Sequence, residues 1–304
     1  MTTYDELARE FDEHRSALVG AAYRIVGTVA DAEDVVQDTW LRWADADHAE
    51  VRDVRAYLVT ITTRLALNRL RQQKARRESY VGPWLPEPVA DGAARLGSPA
   101  AADPAVVAEV ADSVSMAMLV VLETLSPLER AVFVMREVFD LPFAEIATAL
   151  DRSEAAVRQL AHRARSHVHA RQPRQVVDAG EQAELTMRFL QAAGSGDLDE
   201  LMSMLAPDVV LVSDGGGKRR AALRPLHGPG NVARWLLGVM ARPDNPVLEI
   251  RLLVVNGEQA LVGYAGDDPD IVGFVESDDT GITEIYLIRN PDKLAAIPRL
   301  SDLP

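Results

Sequence analysis

PFAEIATALDRSEAAVRQLAHRARSHV, residues Pro142–Val168, is the stretch on which the reading of this chain turns. It reads as two short helices joined by a tight polar turn. Pro142 suits a first helical turn, where its missing N–H would have no partner anyway. Ile146 and Leu150 give the first helix an apolar edge, and Asp151-Arg152 interrupt it. Ser153 can cap the second helix, with Glu154 in its dipole-positive first turn. In that helix Val157, Leu160, Ala161, Ala164 and Val168 fall on one stripe at helical spacing. The opposite arc carries Arg158, Gln159, His162, Arg163 and Arg165. A helix packed by one face and presenting Arg and Gln from the other suits a DNA major groove, where Arg reads guanine and Gln reads adenine. An ordinary amphipathic helix with a solvated basic face fits the same residues, so the neighbouring segments have to decide.

The chain has 304 residues, enough for two or three domains. It has no cysteine, which excludes disulfides and thiolate metal sites and is compatible with a reducing cytoplasm. MTTYDELAREFDEHR is charged and lacks the apolar core of a signal peptide. No apolar run approaches the roughly 20 residues that cross a bilayer. A cytoplasmic protein without a membrane partner is expected. The net charge of −14 looks unsuited to DNA, but it is unevenly spread. Between Arg52 and Arg77 eight basic residues face Asp53 alone, and between Arg152 and Arg174 six arginines face Glu154. Two basic islands in an acidic chain fit local nucleic-acid contacts with unspecific binding held down.

Taken in order, Thr3 and Glu6 make a capping-box pattern for a helix to about Val26. A second helix, DAEDVVQDTWLRWAD, packs through Val35, Val36, Trp40 and Trp43 and turns Asp31, Glu33, Asp34, Gln37 and Asp38 mostly outward. A long helix over Val54–Arg77 carries Tyr57, Leu58, Ile61, Leu65 and Leu70 inward and the first basic island outward. Residues 79–111 form a Pro/Gly-rich linker between an all-α module at 1–78 and another at 112–172. Tyr80, Trp84 and Leu85 sit among its prolines, and an aromatic in a stiff extended segment is expected to dock. A helix over 105–124 leads to Ser126-Pro127-Leu128-Glu129, a capping box with Pro at the first position. From 178 to 304 helices come first and strands after: 209–213, 247–255, 259–265, 271–276 and 282–289. Asn256-Gly257 marks a type I′ hairpin. Helices followed by an antiparallel sheet predict an α+β domain with a curved sheet wrapped on a helix.

Residues 1–170 resemble the extracytoplasmic-function (ECF) class of bacterial RNA polymerase sigma factors. DAEDVVQDTWLRW resembles that family's polymerase-binding helix, and RAYLVTITTRLALNRLRQQKAR the helix that melts and reads the −10 promoter element. LSPLERAVFVMREVFDLPFAEIATAL…VRQLAHRAR resembles the helix-turn-helix domain that reads the −35 element. The last third resembles the SnoaL-like, nuclear-transport-factor-like cone. One subgroup of these sigma factors carries such a tail, and its marks are YVGPWLPEP in the linker, DGGGK at 214–218 and NPDKL at 290–294. The resemblance implies a multi-domain transcription-initiation factor whose partners are core polymerase and promoter DNA. Asp31, Asp34, Gln37, Asp38 and Trp40 would dock on polymerase. Arg64, Asn68, Arg69, Arg71 and Lys74 would track the −10 region, whose bases must be unstacked to be read. Arg158, Gln159, His162, Arg163 and Arg165 would meet the −35 major groove, several of them as phosphate contacts. Arg64, Ala155-Ala156 and Leu160 depart from the common family pattern, so base preference there is not carried over.

The cone's fold relatives include cyclases and isomerases, which makes a catalytic or ligand-sensing cone the alternative. Asp208, Asp214 and His227 are the nearby candidates for a general base. Asp214, beside three glycines, reads as a turn residue, and His227 lies in a loop. No enzyme activity, cofactor or metal is expected, while an unidentified small ligand in the cone stays open. GGGK is not a phosphate loop, since Arg219 stands where Ser or Thr is needed. A regulatory arrangement is expected in which the tail packs on the first module and the linker, with Asp214 and Lys218 of DGGGK and Asn290, Pro291, Asp292, Lys293 and Leu294 of NPDKL near Tyr80, Trp84 and Leu85. That contact would set the relative placement of the two DNA-binding modules.

Overall fold

The computed structural model describes residues 4–77, 79–91, 114–171 and 179–303, leaving aside the side chains of residues 50, 74–77 and 179. The pattern at Thr3 and the first half of the helix expected at 105–124 lie outside the described residues. The chain divides into two compact units, one of Met1–Ser79 with Asp91–Arg171 and one of Tyr80–Ala90 with Gln172–Pro304.

The first unit is all helical. Helices α1 (Tyr4–Val26), α2 (Val29–Ala44) and α3 (Val54–Arg77) form a bundle. Leu18, Ile25, Val35, Val36, Trp43 and Leu58 fill it at 3% exposure or less. The Trp43 indole N–H donates to the Leu7 carbonyl (3.2 Å), and the Thr39 and Thr62 hydroxyls meet at 3.1 Å inside the bundle. Buried polar groups need such partners. Ile61 and Leu65 of α3 are only partly buried, because Thr62, Thr63 and Ala66 take the innermost positions.

Helices α4 (Met116–Glu123), α5 (Pro127–Phe133), α6 (Phe143–Leu150) and α7 (Glu154–His169) complete this unit, with one π-helical turn at Val134–Val138. The capping box of Ser126 and Glu129 is present in both directions. Ser153 caps α7 by accepting the Ala156 N–H at 3.2 Å, and Asp151 takes the left-handed φ of 52° that ends α6. Val157, Leu160, Ala161, Ala164 and Val168 are all buried, as the helical stripe requires. Arg130 joins the halves of the unit. Its guanidinium donates to the Ile25 carbonyl at the end of α1 (2.7 Å) and forks onto Glu123 at 3.0 and 3.1 Å.

The second unit is a six-stranded sheet with helices on one face. Its strands are β1 (Leu205–Asp214), β2 (Leu226–His227), β3 (Glu249–Val255), β4 (Glu258–Ala265), β5 (Asp268–Asp278) and β6 (Gly281–Ile288), in the order β2-β1-β6-β5-β4-β3. Among the described strands the neighbours run antiparallel except β1 and β6, which are parallel. This corrects the all-antiparallel sheet expected from the sequence, since the chain between β1 and β6 builds the other side of the sheet before returning to β1. Breaks in register at Leu205/Val210, Gly263/Tyr264 and Glu276/Ser277 bend the strands, the usual effect of bulges. Asn256 and Gly257 both have positive φ (54° and 72°), the type I′ hairpin their dipeptide predicts. Helices α8 (Ala179–Ser195), α9 (Leu198–Met204) and α10 (Pro229–Met240) pack through Phe189, Leu201, Val232 and Leu236 on Leu211, Val275 and Ile285.

Strand alternation sends Val212, Asp214, Phe274, Glu276, Glu284 and Tyr286 to the other face. There Glu276 and Glu284 stand directly opposite across β5 and β6, and Tyr286 donates its hydroxyl to Glu284. Burial, with the neighbouring Glu284 charge, pushes the Glu276 carboxyl up to about 7 from 4.5. A folded-state value above the unfolded one means that the stability it contributes is complete below pH 4.5 and lost as pH rises through 7. Glu276→Gln should therefore raise the thermal midpoint at pH 8, by a free energy on the order of 2 kcal/mol, and leave it nearly unchanged near pH 4.5. Equal melting curves of the two proteins at pH 8 would contradict this assignment.

Candidate functional site

The −35-type residues lie on the exposed arc of α7, and three of them are held by acids of neighbouring turns. Arg158 pairs with Glu154 one turn back and lies over the Phe143 ring, 4.7 Å from its centroid. Arg163 bonds Glu129 and Arg165 bonds Glu137, each at 2.7 Å. Gln159 and His162 are exposed. Exposed pairs of this kind are worth at most about 1 kcal/mol, so a phosphate can take the carboxylate's place.

On α2 and α3 the two sets read separately in the sequence prove to be partly one network. Arg69 bonds Asp31 at 2.5 Å and Asp34 at 2.9 Å, and Gln73 also donates to Asp31. The hydrogen bond that Arg69 donates to Asp31 holds the Arg69 pKa above its ordinary value. Asp31 is thus not on an outward face, its side chain being 18% exposed, whereas Gln37 and Asp38 are exposed as expected. Trp40 is half-buried with its ring edge-on to Tyr4 and Phe11. Beside it runs a groove of about 380 Å³ between α1 and α2, lined by Phe11, Arg15, Glu33 and Gln37 among others.

Arg64 departs furthest from its expected place. It donates to the Ala149 and Thr148 carbonyls at 2.5 and 3.1 Å, capping the negative end of α6. Arg71 bonds Asn68 at 3.1 Å, and the Lys74 side chain lies outside the described residues.

The regulatory set converges within the second unit, at the end of β1. Asp214 has no exposed surface, which corrects its reading as a turn residue. The glycines do form the turn, but they lie past the strand end and leave the carboxylate buried. One carboxylate oxygen accepts the Leu85 N–H (2.9 Å) and the Lys293 ammonium (2.7 Å). The other accepts the Tyr80 hydroxyl and the Gly216 N–H (3.0 Å). Lys293, 3% exposed, also donates to the Leu85 carbonyl and lies 3.2 Å from the centre of the Trp84 ring. Asn290 donates to the Tyr80 oxygen at 2.8 Å, and the Lys218 ammonium bonds the Asp292 carboxylate at 2.6 Å. Burial, then the bond to Asp214, raises the Tyr80 pKa, so the phenol keeps its proton.

The glycines make this approach sterically feasible. A Cβ on Gly216, whose φ is +58°, would sit 2.4 Å from the Asn290 amide. On Gly217 it would meet Val81 of the linker at 3.2 Å. Leu85 and Leu294 bury their side chains at 1% and 4% exposure, and Pro291 opens the 3-10 turn that presents Lys293.

The sequence did not point to several supports. Asn256 accepts the Val89 N–H on its side chain (3.0 Å) and donates its own N–H to the Val89 carbonyl (2.8 Å). A hairpin Asn hides such a second role. Arg130 and the acids Glu129 and Glu137 read as ordinary helix residues, because their partners lie far along the chain. Asp208 and His227 are exposed on the cone surface.

Removing one member of a buried pair leaves the other charge without compensation. Asp214→Ala should cost the second unit roughly 3–5 kcal/mol, and Lys218→Ala, on the exposed pair to Asp292, less than about 1 kcal/mol. Denaturant melts of the three proteins check this, and equal losses would show that burial does not set the ranking.

Comparison with known proteins matches this geometry to families. The model for sigma-70 region 2 matches residues 11–76, that for sigma-70 region 4 residues 115–168, and that for the SnoaL-like domain residues 187–282. The chain is 40% identical over 301 residues to the ECF RNA polymerase sigma factor SigJ of Mycobacterium tuberculosis, covering 95% of this chain and 93% of that one. It is 36% identical to the probable ECF RNA polymerase sigma factor SigI of the same species, covering 97% of each. The crystal structure of Mycobacterium tuberculosis SigJ superposes with a TM-score of 0.72 at 37% identity, covering 95% of this chain and 98% of that chain. With both sigma-70 regions and the SnoaL-like domain matched in order, and a relative 40% identical over 95% of this sequence, the chain belongs to the ECF RNA polymerase sigma factors.

Proposed function

We propose that the C-terminal cone modulates this sigma factor in cis by gripping the connection between its two promoter-binding modules. The chain is an ECF sigma factor, and the members of that family direct RNA polymerase to promoters. The observation that carries the regulatory reading is the buried Lys293–Asp214 pair closed over Trp84 and Leu85. The linker is bonded on both sides, by Asp214 at Leu85 and by Asn256 at Val89. Residues 80–90 are thereby held to the cone at both ends.

Core polymerase and promoter DNA are the partners, so the protein works where polymerase is, in the cytoplasm. Among the described helices none is long and apolar enough to cross a membrane. Gln37, Asp38 and Trp40 would meet polymerase, with Asp31 and Asp34 holding Arg69 in place until DNA competes for it. Arg69, Asn68, Arg71 and Lys74 would follow the −10 strand, and α7 would enter the −35 groove. Arg64 would join them only after leaving the α6 carbonyls. A catalytic cone is disfavoured, because Asp214 is engaged by four donors and Asp208 and His227 are exposed.

In transcription with purified core polymerase, Trp84→Ala and Lys293→Met should each change promoter output without abolishing core binding. Their combination should be non-additive by more than about 0.5 kcal/mol, since the two side chains touch. Additive effects would separate the clasp from regulation. Arg158→Ala should lower −35-dependent output by about 1–3 kcal/mol if it reads a base, and Lys74→Ala should reduce the salt slope of DNA binding by about one. An Arg158→Ala protein active as wild type on every promoter would put the reading face elsewhere on α7.

A further inference from the structure

The two edges of the sheet are treated differently. At one edge β2 has two residues, too short to template another chain. At the other, β3 runs seven residues with no proline, no lysine and no break in its register with β4. Proline, lysine and bulges are among the devices that protect natural edges, and β3 has instead one pair of opposite charges, Glu249 and Arg251, and a cover at Val255 alone. Ile250, Leu252 and Val254 point to one side of this strand and are 38%, 40% and 47% exposed. Val247, just before it, is 95% exposed. Among the described residues this is a regular, largely apolar edge that is met beyond β4 only at Val255.

We propose that the edge of β3 pairs antiparallel with β3 of a second copy of this chain, with Ile250 on the two-fold axis. Two observations choose this occupant and this register. The first is charge. With Ile250 opposite Ile250, Glu249 of each copy stands opposite Arg251 of the other, giving two cross-strand ion pairs. These residues already pair with each other within one strand and would only exchange partners. Leu248 then faces Leu252, and Val247 faces Leu253. The second is the linker. Ala90 bridges Val255, and the Val89 carbonyl accepts the Asn256 N–H at 2.8 Å. The Val255 end of the edge is therefore taken. A register centred on Leu252 would need Val255 opposite Glu249, whereas the Ile250-centred register uses only residues 247–253.

Sedimentation velocity on the full-length protein between ~1 and ~100 µM should show a concentration-dependent dimer, and a monomer throughout that range would overturn the proposal. Glu249→Arg places like charges across the axis twice, and so does Arg251→Glu. Each variant alone should self-associate at least about tenfold more weakly. An equimolar mixture of the two restores both ion pairs and should dimerise as the wild type does, which also shows that both variants are folded. A wild-type dimer with no recovery in the mixture would place the interface elsewhere and end this assignment.

Discussion

The second unit turns on one buried ion pair. Taking an ammonium and a carboxylate out of water costs several kcal/mol per ion, and their mutual attraction returns this only when every remaining donor and acceptor is satisfied. At Asp214 and Lys293 that condition is met almost entirely by the linker. Leu85 gives its N–H to the acid and its carbonyl to the base, Tyr80 gives its hydroxyl to the acid, and Trp84 offers its ring to the ammonium. Without residues 80–85 in place, the pair would be left poorly compensated in a partly dry site. Folding of the cone's end and capture of the linker are thus one event. This also accounts for the three glycines, since a side chain at Gly216 would stand where Asn290 holds the Tyr80 oxygen.

The first unit solves a different electrostatic problem. On the proposed reading, a chain of net charge −14 would have to present arginines to DNA. Arg69, Arg158, Arg163 and Arg165 each have a carboxylate partner. Such pairs would lower the attraction for random DNA and would be weak enough to exchange when polymerase brings the promoter close. Arg64 is held by helix carbonyls instead, and those are given up only if α3 and α6 move apart. The Arg130 fork, 2% exposed at the same junction, gives that packing a firmer footing than any of the surface pairs.

Local chemistry was readable in the sequence wherever the partner lay within a few residues. Ser126 with Glu129, Ser153 ahead of α7, the buried stripe from Val157 to Val168 and the Asn256-Gly257 turn all followed from spacing alone. The regulatory set was suggested by two anomalies, an aromatic among prolines and a charged segment after the last strand. What stayed hidden depends on contacts between distant residues. Asp214 looked like a turn residue because the glycines next to it dominate the local signal. Its burial comes from Tyr80, Leu85 and Lys293, all at least 79 positions away. Arg64 looked free for DNA, since nothing near it in the chain shows that the end of α6 lies 85 residues on and within reach. The sharing of Asp31 between α2 and α3 was hidden for the same reason.

If the cone acts in cis as proposed, joining it to the chain it acts on changes what the clasp has to achieve. A separate partner must overcome the loss of free motion on binding, whereas a tethered one faces an effective concentration in the millimolar range. The prolines at 83, 86 and 88 lower the cost further by keeping the segment extended before it docks. A closed state favoured by about 3 kcal/mol would hold under ~1% of molecules open, and polymerase could reverse that only by binding the open form correspondingly better. A gap of that size is within what the linker's hydrogen bonds to Asp214 and the cation–π contact at Trp84 can supply without locking the linker permanently. A clasp of that strength would set a threshold for activity and would not shut the factor off.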